Sequence, residues 1–145
     1  MKKNIGVLNL ILIFIVFIVL DQLTKQWAIE NLFIEFKSIE VTSFLSMTPV
    51  WNKGISFGFF QDSGELGRYG FTAFAFIMGA WLIWSSFKLP RYSSFGFMLI
   101  SSGAIGNAID RIIYGKVVDF IDFHINDFHW PAFNLADTII FIGAS

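Results

Sequence analysis

The chain has 145 residues, a length that predicts a single domain covering 1–145. It is 55% hydrophobic and 14% charged, whereas a typical soluble domain is about 25% charged. A small domain cannot bury nineteen Phe and five Trp residues, because roughly a third of its unfolded surface stays exposed. The composition therefore argues against a soluble enzyme and against a disordered chain. A net charge of -1 without a basic cluster excludes a nucleic-acid-binding protein, which leaves an integral membrane protein.

Four apolar segments predict membrane-spanning helices, because about 20 apolar residues in a helix cross the bilayer core. In chain order, their approximate bounds are 5–26, 69–87, 92–111 and 134–145. The first segment also has the pattern of a secretory signal peptide, but no small-residue cleavage site follows it, so we interpret it as an uncleaved helix. The fourth is short, so we expect it to be truncated or to span only part of the bilayer. The fold class is thus an all-α integral membrane bundle of four helices.

Basic residues predict the orientation of these helices. Lys2 and Lys3 precede the first helix, and Lys88 and Arg91 lie in the short turn between the second and third. Cytoplasmic loops of membrane proteins are enriched in Lys and Arg. We therefore expect both termini to be cytoplasmic, with the two longer loops, 21–68 and 110–131, on the outer side.

The outer loop 21–68 contains the pattern of a small sheet. Residues 39–45 are β-branched and aromatic, and the segment 48–60 continues this pattern with Gly54 and Gly58 as kinks. The third helix differs from the others in its small residues, with Ser102 and Gly106 four positions apart. Small residues allow helices to approach closely in lipid, so we expect the third helix to lie at the centre of the bundle.

Two acidic residues are candidates for chemistry. Asp119 follows the third helix in what we interpret as a loop, and it could be an ordinary loop carboxylate. Asp137 lies three residues after Asn134, so this pair could instead form a capping box at the start of the fourth helix. Together, Asp119 and Asp137 predict a carboxylate pair that shares one proton. Such a pair can hydrolyse an amide without a metal ion or a thiol.

Further polar residues cluster near the ends of the helices. Asn107, Asp110 and Arg111 share one helix face, either as a polar helix end with Arg111 at the interface or as a network that orients the carboxylates. Asp21 and Lys25 have the spacing of an ion pair. That pair stabilises the first helix or contacts a substrate head group.

The remaining polar candidates are few. Asn52 and Gly54 form either a turn or a contact to a peptide backbone. The chain has no Cys, and His124 and His129 are five residues apart without a third ligand. The sequence therefore predicts no metal site, and it contains no nucleotide-binding fingerprint, so we expect no cofactor.

Five blocks of sequence, in this order, resemble the bacterial lipoprotein signal peptidases, also called signal peptidase II. The matching blocks are DQLTK at 21–25, NKGISF at 52–57, GAIGNAIDR at 103–111, VVDF at 117–120 and FNLAD at 133–137. The resemblance implies that Asp119 and Asp137 are the two catalytic aspartates. It also implies polar support or substrate contact from another set: Asn52, Gly54, Asn107, Asp110, Arg111 and Asn134.

The resemblance implies an activity and a location as well. Such an enzyme is a metal-independent aspartic peptidase of the bacterial inner membrane, with its active site toward the periplasm. It removes the signal peptide from a prolipoprotein by cutting before a diacylglyceryl-modified cysteine. The implied fold has four transmembrane helices, a small outward-facing sheet and a short periplasmic helix. We expect the partners to be that signal peptide and membrane lipid, and we expect a monomer.

Two functions from other classes are alternatives. Asp110, Asp119 and Asp137 could relay protons through a small helical carrier, or the chain could be a non-enzymatic membrane scaffold. A carrier predicts carboxylates in the middle of helices. All three lie at helix ends or in a loop of the predicted arrangement, which favours the peptidase.

Overall fold

The computed structural model describes residues 6–54 and 64–145. Within these ranges the chain forms four α-helices and four strands. In chain order these are α1 (Val7–Ala28), β1 (Ile39–Thr42), β2 (Leu45–Asn52), α2 (Gly64–Ser86), α3 (Arg91–Tyr114), β3 (Val117–Ile125), β4 (Phe128–His129) and α4 (Leu135–Ala144). Lys2 and Lys3, used above to predict orientation, and residues 55–60 of the predicted sheet segment lie outside the described residues.

Two of the described helical segments are long and apolar enough to cross a membrane, namely Val7–Phe33 and Gly64–Ser86. The first consists of α1 and a π-helical turn, Ile29–Phe33, that continues it directly. α3 has 24 residues but contains more Ser than either of these segments, and α4 has 10 residues. Large apolar side chains remain exposed on α1 and α2, namely Leu8, Ile11, Leu12, Ile15, Phe74, Ile77 and Trp81.

α3 lies at the centre of the bundle, as its small residues predict. It packs against α1, α2, α4 and β3. A Cβ atom added at Gly106 would lie 2.6 Å from Asp21 Oδ2, and one at Gly103 would meet the carbonyl oxygen of Ala136. The two glycines therefore allow α1 and α4 to approach α3 closely, and the expectation of a central third helix is confirmed.

The C-terminal end of α3 is closed by two specific features. Gly115 adopts a left-handed φ of 74°, which glycine reaches without steric cost, and its N–H donates to Arg111 O. Arg68 of α2 donates to Arg111 O at 2.8 Å and to Ile112 O at 2.9 Å. These bonds satisfy helix-end carbonyls, and β3 begins soon afterwards.

The strands form an antiparallel sheet in the order β1-β2-β3-β4. β1 and β2 confirm the predicted sheet within 39–52, but the chain leaves the sheet after Asn52. The prediction of a loop across 110–131 was wrong, because residues 117–125 form β3 and Asp119 lies on that strand. This segment contains two aspartates and a histidine, a composition typical of a solvated loop. In the structure Asp119 and Asp122 are instead buried, and each binds a polar side chain.

The sheet packs on the end of α1 and holds the start of α4. Ala28 and Leu32 form an apolar cluster with Val118 and Phe120 of β3. Phe133 pairs with β3 as well, since its N–H donates to Ile121 O at 3.1 Å and its carbonyl accepts from Ile121 N at 2.8 Å. The residues that begin α4 are thereby fixed beside β3. Among the described residues, the helical turn after α1 is the only short helical element, and it is continuous with α1 rather than separate.

Candidate active site

Asp119 lies on β3 opposite Val50 of β2, and its side chain is buried. Two amide groups hold its carboxylate. Asn52 Nδ2 donates to Oδ2 at 3.0 Å, and Asn134 Nδ2 donates to Oδ1 at 2.7 Å. The carboxylate is therefore fixed from both sides, by the end of β2 and by the residue that precedes α4.

Asp137 lies in the first turn of α4, where the predicted capping box with Asn134 is confirmed. Asp137 N donates to Asn134 Oδ1 at 3.0 Å, and Asn134 N donates to Asp137 Oδ2 at 3.3 Å. Asn107 of α3 donates from Nδ2 to Asp137 Oδ1 at 2.9 Å. Since Asn134 binds both Asp119 and Asp137, it links the two carboxyl groups, which we call the dyad.

The environment of Asp119 favours its protonated form. Burial raises the pKa of Asp119 to about 7, and the nearby charge of Asp137 contributes in the same direction. The hydrogen bonds from Asn52 and Asn134 and the charge of Lys25 oppose this rise. A carboxyl group with a pKa near 7 can hold a proton at neutral pH and release it during a reaction.

The dyad borders two cavities. The larger, which we call the dyad cavity, has a volume of about 660 Å³ and is lined by both carboxyl groups, by Asn52 and by apolar residues of the segment before α4. The smaller has a volume of about 160 Å³ and lies toward α2 and α3. Asp137 and Asn52 line both cavities. An extended ligand that ran from one cavity to the other would therefore pass the dyad.

A buried charge cluster supports this arrangement from α1. Lys25 Nζ lies 2.9 Å from a carboxylate oxygen of Asp21 and 2.9 Å from one of Asp110, and it donates to Asn107 Oδ1 at 2.8 Å. Asp21 in turn accepts from Ala136 N at 2.9 Å. Lys25 is 2% exposed and Asp21 is 0% exposed, so their burial favours the stabilising role over contact with a substrate head group.

Comparison with known proteins gives the family. The family model described as "Signal peptidase (SPase) II" matches residues 13–145. The chain belongs to the signal peptidase II family. It is 43% identical to a lipoprotein signal peptidase of Cupriavidus necator over 88% of this chain and 73% of that protein. A lipoprotein signal peptidase of Psychromonas ingrahamii is 40% identical over 89% of this chain and 76% of its own.

Solved structures agree with this membership of the signal peptidase II family. A bacterial membrane enzyme determined by the in meso method at 2.3 Å resolution has a TM-score of 0.83 and 31% identity, over 99% of this chain and 87% of that one. A second, at 1.9 Å resolution, has a TM-score of 0.80 and 32% identity over 99% and 92%. The family is one of proteases, which decides against the carrier and scaffold alternatives.

Arg111 of this signal peptidase II chain does not reach outward to the interface, which was one of its predicted alternatives. The residue is 8% exposed, and its Nη2 donates to Gly54 O at 2.7 Å. Gly54 N donates to Asn52 Oδ1 at 3.0 Å, so Asn52 and Gly54 do form the predicted turn. The turn and Arg111 together place Asn52 beside Asp119. Within the described ranges, Arg111 Nε has no hydrogen-bond partner.

The sequence analysis missed several residues at this signal peptidase II site. Gln22 Nε2 donates to Asp110 Oδ1 at 3.0 Å and to Asp21 Oδ2 at 3.2 Å. Gln22 could have been found from the sequence, because it lies within the block DQLTK at 21–25. Phe123 and Trp130 line the dyad cavity, and the alternation of side chains along β3 would have placed Phe123 on the face of Asp119.

The two histidines lie on the sheet, away from the dyad. His129 Nδ1 lies 2.9 Å from a carboxylate oxygen of Asp122, and His124 Nε2 lies 3.1 Å from Ser46 Oγ. The described part of the chain contains no group of three His, Cys, Asp or Glu side chains arranged to hold a metal ion.

Proposed function

We propose that this chain is a membrane-embedded aspartic endopeptidase that removes the signal peptide from prolipoproteins. The signal peptidase II family and the relatives named as lipoprotein signal peptidases support the reaction and the substrate class. The observation that carries the mechanism is the convergence of Asp119 and Asp137 on one cavity, linked by Asn134.

The dyad acts with one proton shared between its two carboxyl groups. The ionised carboxyl takes a proton from water, whose oxygen attacks the carbonyl carbon of the scissile peptide bond. The protonated carboxyl donates its proton to the carbonyl oxygen, which gives a neutral tetrahedral intermediate. Collapse of that intermediate returns the hydroxyl proton to one carboxyl, while the other protonates the leaving amine. The raised pKa of Asp119 suits it to hold the shared proton at the start.

The polar surroundings would position these two groups. Asn52 and Asn134 bind Asp119, and Asn107 binds Asp137. Lys25 of α1 contacts Asn107 and Asp110, which both lie on α3. These contacts hold α1 against α3 and fix the side chain of Asn107. These residues are therefore positioning residues, and we assign the bond-making steps to the dyad alone.

The chain would cross the bacterial inner membrane with four helices. The two clearly apolar helices support this arrangement, and the exposed apolar residues of α4, Phe141 and Ile142, suit contact with lipid. The turn with Lys88 and Arg91 would face the cytoplasm, as would both termini. The sheet and the dyad would then lie toward the periplasm.

The substrate would be a signal peptide whose cleavage site precedes a diacylglyceryl-modified cysteine. The smaller cavity, bordered by Phe71 and Phe74 of α2 and Ile140 of α4, offers an apolar surface to the peptide beside the dyad. We propose that the enzyme acts as a monomer in contact with bilayer lipid. The carboxyl chemistry requires no cofactor.

Cleavage assays on two variants test the dyad. The purified chain in detergent or liposomes would be incubated with a synthetic prolipoprotein peptide that carries the lipidated cysteine. Asp119→Asn and Asp137→Asn should each lower kcat by about a thousandfold or more, since an amide can neither take nor supply the proton. Asp127→Asn is the matched control, because that carboxyl is exposed in the turn after β3.

The outcomes separate the dyad from a general need for acidic residues. Near wild-type cleavage by either dyad variant would show that the assignment is wrong. Loss of activity in Asp127→Asn together with an unchanged melting temperature would also contradict it. If the wild-type chain fails to cut any prolipoprotein peptide, the proposed reaction itself is wrong.

A further inference from the structure

A third concavity, with an apolar lining, lies next to the dyad cavity, at the β4 edge of the sheet. It has a volume of about 520 Å³, within the range of small-molecule sites. We call it the aromatic pocket, and its apolar lining consists of Phe44, Phe123, Ile125, Phe128, Trp130 and Phe133. His124 also lines it, but its Nε2 already pairs with Ser46. The lining therefore suits an apolar ligand rather than a peptide or a charged head group.

The aromatic pocket is continuous with the dyad cavity. Phe123, Trp130 and Phe133 line both concavities. The rings of Phe123 and Phe133 stack with their centroids 5.8 Å apart, so they form the wall between the two. A ligand attached to a substrate at the dyad would meet this wall first and the aromatic pocket next.

The aromatic pocket lies within reach of the acyl chain of a lipidated cysteine whose scissile bond is at the dyad. Asp119 and Phe123 are four residues apart on β3, so their side chains share one face at a separation of about 13 Å. Eight covalent bonds join the scissile carbonyl carbon to the first carbon of an acyl chain on a diacylglyceryl cysteine, a reach of about 10 Å. The first methylene groups of the acyl chain, beyond its carbonyl carbon, would therefore reach Phe123 when the scissile bond is at Asp119.

The outer part of the aromatic pocket is open to a ligand. Ile125 is 73% exposed and Phe128 is 69% exposed. Each would lose contact with water if an acyl chain lay against it, and burial of apolar surface is favourable. The relatives act on lipoproteins by name, so an acyl chain attached to the substrate is the occupant that best fits this lining.

We propose that the aromatic pocket binds one acyl chain of the lipid on the substrate cysteine, and so helps the enzyme to select lipidated substrates. This inference rests on the proposed function, because it assigns a place to the lipid of that substrate. It predicts that the length of the acyl chain affects kcat/KM through Phe128 and Ile125, which line the aromatic pocket but not the dyad cavity.

The test compares two peptides of identical sequence, one with an S-dipalmitoylglyceryl cysteine and one with an S-diacetylglyceryl cysteine. The ratio of their kcat/KM values is measured for the wild-type chain and for Phe128→Ala in detergent micelles. Several methylene contacts should be lost with the ring, so we expect this ratio to fall about fivefold or more. Phe36→Ala is the matched control, because Phe36 is a similarly exposed phenylalanine, at 64%, that packs beside Phe33. Its ratio should equal that of the wild-type chain.

Either of two results would overturn the inference. The wild-type chain could cut both peptides equally well, or Phe128→Ala could leave the ratio unchanged. The ratio also stays unchanged if kcat/KM falls equally for both peptides, and that outcome would show that the pocket contacts the peptide part of the substrate instead. Ile125→Ala repeats the measurement if Phe128→Ala lowers the melting temperature. Failure of the wild-type chain to cut either peptide would instead refute the proposed function, so the two failures are distinguishable.

Discussion

Replacing Lys25 with Met should destabilise the protein strongly, although Lys25 does not touch the dyad. Its Nζ lies 2.9 Å from carboxylate oxygens of both Asp21 and Asp110. Met has a similar length and keeps the apolar part of the packing. The substitution therefore removes the positive charge and leaves two buried carboxylates without their cation.

The magnitude follows from that burial. Lys25 is 2% exposed, and Asp21 and Asp110 are 0% exposed. Removing one partner of a buried ion pair costs about 3–5 kcal/mol, because the remaining charge is left uncompensated. For a chain of this size each kcal/mol lowers the melting temperature by roughly 2–4 °C. We therefore expect Lys25→Met to lower it by about 10 °C.

Thermal unfolding in detergent, followed by tryptophan fluorescence, measures this change. The control is Lys37→Met, since Lys37 is an exposed lysine after α1. Adding Asp21→Asn to Lys25→Met should restore part of the loss, because one uncompensated charge is removed and the Asn oxygen can still accept from Ala136 N. The reasoning is refuted if Lys25→Met melts within about 2 °C of the wild-type chain, or if the second substitution lowers the melting temperature further.

Three other predictions concern packing, pH and metal ions. Gly103→Ala should lower the free energy of unfolding by about 1–3 kcal/mol, because the added Cβ would meet Ala136 O. Gly70→Ala is the control, since its added Cβ would lie in open space, and it should not lower the free energy of unfolding. The pKa of Asp119 is raised to about 7, so the dyad loses its shared proton as the pH rises above that value. We therefore expect kcat/KM to fall about tenfold per pH unit above about pH 7. A flat profile up to pH 9 would contradict this. EDTA should leave cleavage unchanged, since both proton-transfer groups are carboxyls; loss restored by zinc would contradict it.

Local patterns in the sequence predicted those features that depend on neighbouring residues. The apolar segments located the helices to within a few residues, because the length of an apolar run determines whether a helix suits a bilayer. The capping box of Asn134 and Asp137 was predictable because both partners lie within one turn. Small residues placed α3 at the centre of the bundle because close helix approach requires them.

The loop prediction around Asp119 failed for a physical reason. Acidic residues in a short segment usually mark solvated backbone, and nothing nearby in the sequence supplies the donors that allow Asp119 to be buried. Those donors, Asn52 and Asn134, come from positions 67 and 15 residues away. The strand is stabilised by pairing with β2, which is also distant in the chain.

Residue patterns were enough to establish the class of the protein, its helices and, through five ordered blocks, its resemblance to a family. Three features became visible only in the folded chain: Lys25 is buried between Asp21 and Asp110, Arg111 binds the turn at Gly54, and an aromatic pocket adjoins the dyad cavity. Each of these depends on contacts between segments far apart in the chain, such as Asp21 and Ala136, which are 115 positions apart. A charge can be buried only where packing brings its partners together, and local spacing does not contain that information.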